Sequence, residues 1–132
     1  MRVLLADRDE AFLHTVRGFL RHRGHNVNVV TNGIDCISLF RAELPDALII
    51  ERELLWGGSD GVLELLAEDI RDSKPLVILT IPSDWDTAYL APSKARSITA
   101  CLSKPFHLQQ LLILLQSTGR RHAYPLHYGN ES

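Results

Sequence analysis

The feature of this sequence that most constrains the fold is the alternation of short apolar runs with segments whose apolar residues recur at helical spacing. Several runs are apolar throughout, which is typical of strands buried on both faces of a sheet. The five predicted strands are "RVLLA" (Arg2 to Ala6), "HNVNVV" (ending near Val30), "DALII" (Asp46 to Ile50), "LVILT" (Leu76 to Thr80) and the weaker "SITACLS" (Ser97 to Ser103). Strands that alternate with helices predict an α/β fold, in which helices cover both faces of a parallel sheet.

The predicted helices are bounded by capping residues, glycine and proline. Asp9 predicts the cap of the first helix, which ends at Gly24, and Ser59 or Asp60 predicts the cap of the third helix, "SDGVLELLAEDIRD". The second helix lies in "NGIDCISLFRAEL" and the last in "HLQQLLILLQS". The fourth helical segment, Pro82 to Pro92, is expected to be irregular or short.

Length and composition predict one soluble globular domain. The 132 residues are 45% hydrophobic and 23% charged, and we expect a domain at residues 1–117 followed by a flexible tail at 118–132. A net charge of −2 shows no excess of positive charge of the kind that binds nucleic acid. Two cysteines are too few for a disulfide scaffold, and no apolar run reaches the length of a signal peptide or a membrane span. We therefore expect a cytoplasmic protein with no nucleic-acid or membrane partner.

Functional sites of parallel sheets lie beyond the carboxyl ends of the strands. An acidic cluster, a hydroxyl group and a lysine follow the predicted strands and should meet at this edge. These residues are Asp7, Arg8, Asp9, Glu51, Thr80 and Lys104. No serine or cysteine has a base at a recognisable spacing, and no glycine-rich phosphate loop follows the first strand, so we do not expect an enzyme.

The segments "VLLADRDE", "PDALIIE", "SDGVLELL", "PLVILT" and "LSKPF", in this order, resemble the receiver domain of two-component response regulators. The resemblance covers about Arg2 to Gln116. Its most specific part is "LSKPF", in which a lysine at the end of the fifth strand precedes Pro105 and Phe106. It implies a three-layer, flavodoxin-like (βα)5 fold with strand order 2-1-3-4-5, and a role in signal transduction and phosphorelay.

In that family, a histidine kinase supplies a phosphoryl group to an aspartate at the end of the third strand. An acid pair after the first strand holds Mg²⁺, and a lysine and a hydroxyl group contact the phosphoryl oxygens. By resemblance, Lys104 and Thr80 match the lysine and the hydroxyl, Pro105 matches the proline that follows a cis peptide bond, and Asp7 matches the first acid of the pair.

Three positions depart from the family pattern. Arg8 stands where the second acid belongs, Glu51 stands where the phospho-accepting aspartate belongs, and Cys101 takes the place of the switch aromatic. The linker from Glu51 to Gly61 is also two residues longer than is usual in the family. These departures indicate an atypical, degenerate receiver.

The departures leave alternatives open for several residues. Glu51 is either a standing negative charge that mimics phosphoaspartate or a buried charge neutralised by Lys104 and Arg8. Asp7 is predicted to form a salt bridge with Lys104 or Arg8 rather than to bind metal, and Asp9 is predicted to be a helix cap rather than a metal ligand. Because of Arg8, we expect no cofactor and consider Mg²⁺ doubtful.

Two functions follow from these interpretations. The leading hypothesis is a pseudo-receiver that acts through protein contacts without phosphorylation. The alternative is a working receiver that accepts phosphate from a histidine kinase with Mg²⁺ through an unorthodox acid such as Asp7 or Glu53. Since no effector domain fits after the last helix, we expect a stand-alone receiver or a piece of a longer protein.

Two surfaces are predicted to contact partners. One is the face formed by the predicted helix 4 (Pro82 to Pro92), strand 5 and the last helix, helix 5. It carries Trp85, Tyr89 and the run Leu111 to Leu115, and receivers use this face to dimerise or to contact other proteins. Five consecutive apolar residues are too many for one buried stripe, so one or two should lie outside the core. The other is the loop "LLWGG", in which Leu55 and Trp56 either fold back onto the domain or anchor a partner.

Overall fold

A computed structural model describes residues 1–82 and 97–116, together with the backbone of residues 126–128. The strands are β1 (Arg2–Ala6), β2 (Asn26–Val30), β3 (Ala47–Glu51), β4 (Leu76–Pro82), β5 (Ala100–Lys104) and β6 (Leu126–Tyr128). The helices within the described residues are α1 (Glu10–Arg21), α2 (Gly33–Glu43), α3 (Gly58–Leu65), α4 (Ala67–Ser73) and α5 (Leu108–Gln116). The predicted helical segment from Pro82 to Pro92, with Trp85 and Tyr89, lies outside the described residues except at Pro82.

The sheet confirms the predicted topology. All strand pairs are parallel, and the order β2-β1-β3-β4-β5 is the 2-1-3-4-5 order of the receiver fold. The three-residue strand β6 extends the sheet beyond β5, and its residues Leu126, His127 and Tyr128 pair with Ala100, Cys101 and Leu102. Nothing in the aperiodic sequence around β6 predicted this strand.

The apolar core lies on both faces of the sheet, as the continuous apolar strands predict. Alternate residues of each strand point to opposite faces, so one cluster packs Phe40, Val62 and Ile70 of α2, α3 and α4 on one face. The other cluster packs Leu13 of α1 and Leu111 of α5 on the opposite face. The helices of the two outer layers are therefore α2, α3 and α4 on one side, and α1 and α5 on the other.

The third predicted helix differs from its prediction at two points. It begins earlier, with Gly57 at the N-cap position and no side-chain cap, whereas Ser59 or Asp60 was expected to cap it. It is also interrupted at Leu66, whose φ of −95° and ψ of 6° separate α3 from α4. Three consecutive residues with positive φ, Trp56, Gly57 and Gly58, turn the chain into α3 and so allow the earlier start.

Other local predictions are confirmed. Asp9 caps α1 by accepting a hydrogen bond from the amide of Phe12 at 3.1 Å. In α5, Ile113 is 55% exposed while its four neighbouring leucines are buried, as the long apolar run predicts. No helix in the described part of the chain is long and apolar enough to cross a membrane.

Candidate functional site

The site begins at the carboxyl end of β1, where Asp7 is completely buried. Its main-chain amide donates to the carbonyl of Val30 at 3.1 Å, which holds the residue beside β2. Its Oδ1 accepts a hydrogen bond from the amide of Asp9 at 2.8 Å. Because Asp9 is in turn the cap of α1, the turn from β1 to α1 fixes the orientation of the Asp7 carboxylate.

Lys104 reaches this carboxylate from the end of β5. Its Nζ lies 2.6 Å from Oδ2 of Asp7 and 3.6 Å from Oε2 of Glu51, so Asp7 is the closer partner. The ammonium also lies 4.3 Å from the centre of the Phe12 ring, a cation–π distance. The Lys104–Pro105 peptide bond is cis. The side chain of Lys104 is only 29% exposed, so the lysine is held by two acids and an aromatic ring with limited access to water.

Glu51 lies at the end of β3 and is buried. Its Oε1 accepts a hydrogen bond from the amide of Arg8 at 2.9 Å and lies 3.4 Å from Nε of the same residue. Nη2 of Arg8 lies 2.8 Å from Oε2 of Glu53. Arg8 therefore bridges the two glutamates, and the half-exposed guanidinium covers one oxygen of Glu51.

Opposing effects act on the ionisation of Glu51. Burial raises the pKa of Glu51, and the charge of nearby Asp7 raises it further. The hydrogen bond from the Arg8 amide and the positive charges of Lys104 and Arg8 lower this pKa, but burial prevails and the net direction is upward. The cations around Glu51 thus only partly offset the effect of its burial.

Thr80 and Cys101 lie on the neighbouring strands. Thr80 is buried, is paired with Glu51 in the register of β3 and β4, and lines a cleft of about 640 Å³. Cys101 is fully buried in the apolar cluster beneath α2 and α3, and burial raises its pKa to about 12. At this position the chain therefore has a small, inert core residue.

The cleft joins the charged residues to an apolar wall. Its charged lining includes Arg8, Glu51 and Lys104, and its apolar side is formed by α1, the end of β4 and the start of α5. The apolar lining residues are Phe12, Val16, Ile81, Pro82, Pro105, Phe106 and Leu108. The predicted site residues at the ends of the four strands thus meet at one edge of the sheet, as the topology requires.

The oxygens of Asp7 that could serve as metal ligands already have protein partners. Mg²⁺ requires several oxygen ligands in an octahedral arrangement. One oxygen of Asp7 accepts from the amide of Asp9 and the other from Lys104, and the guanidinium of Arg8 lies beside Glu51. Within residues 1–82 and 97–116, no three His, Cys, Asp or Glu side chains group as a metal site.

Two residues of the site were not identified from the sequence. Phe12 was predicted only as an apolar position of α1, and its contact with Lys104 depends on the angle at which the helix crosses the sheet. Glu53 was considered as a substitute acceptor, but its pairing with Arg8 was not foreseen. The pattern of glutamate, arginine and glutamate at Glu51, Arg52 and Glu53 gives no signal for which acid Arg8 will bind.

Comparison with known proteins supports the resemblance in sequence and in fold. No protein-family model matches the chain. The chain is 28% identical over 123 residues to the response regulator MprA of Mycobacterium avium and to that of Mycobacterium leprae. This similarity covers 92% of the chain and 52% of each relative, so the chain spans about half the length of these curated relatives.

Solved structures of receiver domains superpose closely. The receiver domain of the Francisella response regulator 1452 has a TM-score of 0.75 at 20% identity, covering 86% of this chain and 92% of that one. A receiver domain protein from Clostridium thermocellum has a TM-score of 0.76 at 16% identity, covering 86% and 90%. This chain therefore has the flavodoxin-like receiver fold, and its sequence is similar to response regulators over nearly its whole length.

Proposed function

We propose that this chain is a receiver-like signalling module that acts through protein contacts and without phosphorylation. The observation that supports the proposal is the set of contacts around Glu51, which by the family resemblance matches the position of the acceptor acid. Arg8 covers its Oε1 and Lys104 lies near its Oε2. In this interpretation the longer Glu51 side chain extends its carboxylate toward Lys104, somewhat as a phosphoaspartate would in a working receiver.

The geometry disfavours phosphotransfer for two reasons. A glutamate carries one more methylene group than an aspartate, which moves the carboxylate by about an ångström, a displacement large enough to misalign an in-line reaction. The attacking oxygen must also be accessible, whereas the Arg8 amide and guanidinium occupy the side of Oε1. The buried Asp7 is no better as an acceptor, because Lys104 and the amide of Asp9 bind its two oxygens.

The proposed output is a contact with another protein, which could be a histidine kinase or a second copy of the chain. The face that includes β5 and α5 is one candidate, since Ile113 projects from α5 away from the core. A site that is not phosphorylated would leave regulation of such contacts to the abundance or the localisation of the partners.

The decisive experiment is an NMR titration of the backbone amides, first with Mg²⁺ and then with beryllofluoride, which imitates a phosphoryl group on a receiver acid. We expect the amides of Asp7, Thr80 and Lys104 to be unaffected. The matched control is the double variant Arg8→Asp/Glu51→Asp, which restores the acid pair and the acceptor and should respond to both reagents.

The single variant Glu51→Asp separates the two causes. It should not be labelled by acetyl phosphate, because Arg8 still occupies the metal side of the site. Shifts in the unaltered chain at millimolar Mg²⁺, followed by further shifts with beryllofluoride, would refute the proposal. They would instead identify a working receiver with an unorthodox acceptor.

A further inference from the structure

The loop between β3 and α3 displays a tryptophan to solvent. Trp56 is 71% exposed, although burial of a large apolar side chain stabilises a folded protein. Its φ is 63°, and Gly57 and Gly58 follow with φ of 99° and 61°. A non-glycine residue in this left-handed region is under conformational strain and persists only where its surroundings impose it. The surroundings of Trp56 must therefore hold this conformation in place.

The loop is held by the first turn of α2. The amide of Gly33 donates to the carbonyl of Leu55 at 2.7 Å, and Asn32 forms a bridge with Leu55. A Cβ atom at Gly33 would lie only 2.2 Å from the main-chain oxygen of Trp56, so this close approach depends on glycine. The contact brings the main chain of Leu55 and Trp56 against Gly33, the residue before Ile34, and the side chains of Leu55, Trp56 and Ile34 are all more than half exposed.

This apolar group lies on the acidic face of the domain. The helices α2, α3 and α4 carry seven acidic residues and two arginines, whereas α1 and α5 on the opposite face carry one acid and two arginines. On α3, Leu65 is 64% exposed and directly follows the exposed Glu64. Large apolar side chains thus project from a surface with a net charge of −5 on its helices.

We infer that this α2–α3 surface, defined by Ile34, Leu55, Trp56, Leu65 and Glu64, binds a basic amphipathic helix of a partner protein. Apolar side chains on neighbouring helices are a common binding site for the apolar face of such a helix, and tryptophan is one of the residues enriched at interface hot spots. The acidic surroundings favour lysine and arginine on the partner and disfavour an acidic one. The inference rests on the proposed action through protein contacts, but not on the absence of phosphorylation.

The test uses a short fluorescein-labelled helical peptide with leucine on one face and lysine on the other, titrated with the full chain and followed by anisotropy. We expect saturable binding that weakens as salt is added. Trp56→Ala should weaken binding about tenfold, the loss typical of an aromatic anchor. A peptide with glutamate in place of lysine should not bind.

Charge-reversal variants distinguish binding at the α2–α3 surface from a general attraction between the basic peptide and the acidic protein. Glu64→Lys should weaken binding several-fold, whereas Glu10→Lys, which changes the net charge equally but lies on α1, should leave it unchanged. Equal effects of these two variants, or unaltered binding by Trp56→Ala, would overturn the inference. Self-association of the chain that is lost in Trp56→Ala would also overturn it, because the occupant would then be a second copy. The Mg²⁺ and beryllofluoride titration is independent of all these outcomes.

Discussion

The position of Lys104 predicts that two isosteric changes in the same site will have very different effects on stability. Asp7→Asn removes the negative charge 2.6 Å from the Lys104 Nζ, while Glu51→Gln removes the one at 3.6 Å. Breaking a buried ion pair costs about 3–5 kcal/mol, because the remaining charge is left uncompensated. In Asp7→Asn, Lys104 would still be partly exposed to solvent and would still lie near Glu51 and the Phe12 ring. We therefore expect the cost of Asp7→Asn to be reduced to about 2 kcal/mol.

Glu51→Gln should change the free energy of unfolding by less than about 0.5 kcal/mol at neutral pH. Burial raises the pKa of Glu51, which means that its surroundings, taken together, favour the neutral form more than water does. Glutamine has the shape of that neutral form, and its carbonyl oxygen can still accept the hydrogen bond from the Arg8 amide. Loss of the longer contact with Lys104 is thereby offset by removal of a desolvated charge.

The measurement is urea unfolding followed by circular dichroism, with Asp72→Asn on exposed α4 as the control for a simple loss of charge. A double-mutant cycle with Lys104→Met should give a coupling energy with Asp7 of about 1 kcal/mol or more, and a smaller one with Glu51. The reasoning fails if Glu51→Gln destabilises the chain as much as Asp7→Asn does, or if Lys104 couples more strongly to Glu51.

Three further results are expected. Gly33→Ala should destabilise the chain by about 1–3 kcal/mol in urea unfolding, because the added Cβ would clash with the main chain of Trp56. Gly18→Ala, where the added Cβ meets open space, should stabilise the chain by up to about 1 kcal/mol, and stabilisation by both substitutions would contradict the packing of the loop. Burial raises the pKa of both cysteines, Cys36 and Cys101, to about 12, so a thiol reagent at mildly alkaline pH should label them only in denaturant; rapid labelling of the folded chain would argue against this burial. Since burial raises the pKa of Glu51 in the folded state, the contribution of Glu51 to stability is largest below its unfolded pKa and declines as the pH rises through its folded pKa. The difference between the pH–stability curves of the unaltered chain and Glu51→Gln should show this decline, and parallel curves would exclude it.

The parts of the fold that were predictable depend on patterns that are local in sequence. Continuous apolar runs identified strands buried on both faces, and Asp9 capped α1 as its residue type indicates. The position of Lys104 at a strand end, opposite Asp7 and Glu51, followed from the rule that parallel strands share one edge. These features needed only the order of residues and the geometry of the chain.

The remaining features depend on distances and tertiary contacts that the sequence does not encode locally. Whether Lys104 binds Asp7 or Glu51 is a difference of 1.0 Å between the two N–O distances, and no spacing rule resolves it. The interruption at Leu66 occurs within a pattern that suits a continuous helix, and the capping preference of Ser59 was overridden by the turn that precedes it.

The short strand β6 has a practical consequence for anyone who shortens this protein. A chain that stops at Gln116, where the receiver pattern ends, would lose the pairing that β6 gives to Ala100, Cys101 and Leu102. The outward-facing amide and carbonyl groups of β5 would then form a bare sheet edge, and such edges recruit strands from other molecules. Trimming the chain to its apparent domain boundary should therefore lower its solubility, even though no residue of the charged site would be removed.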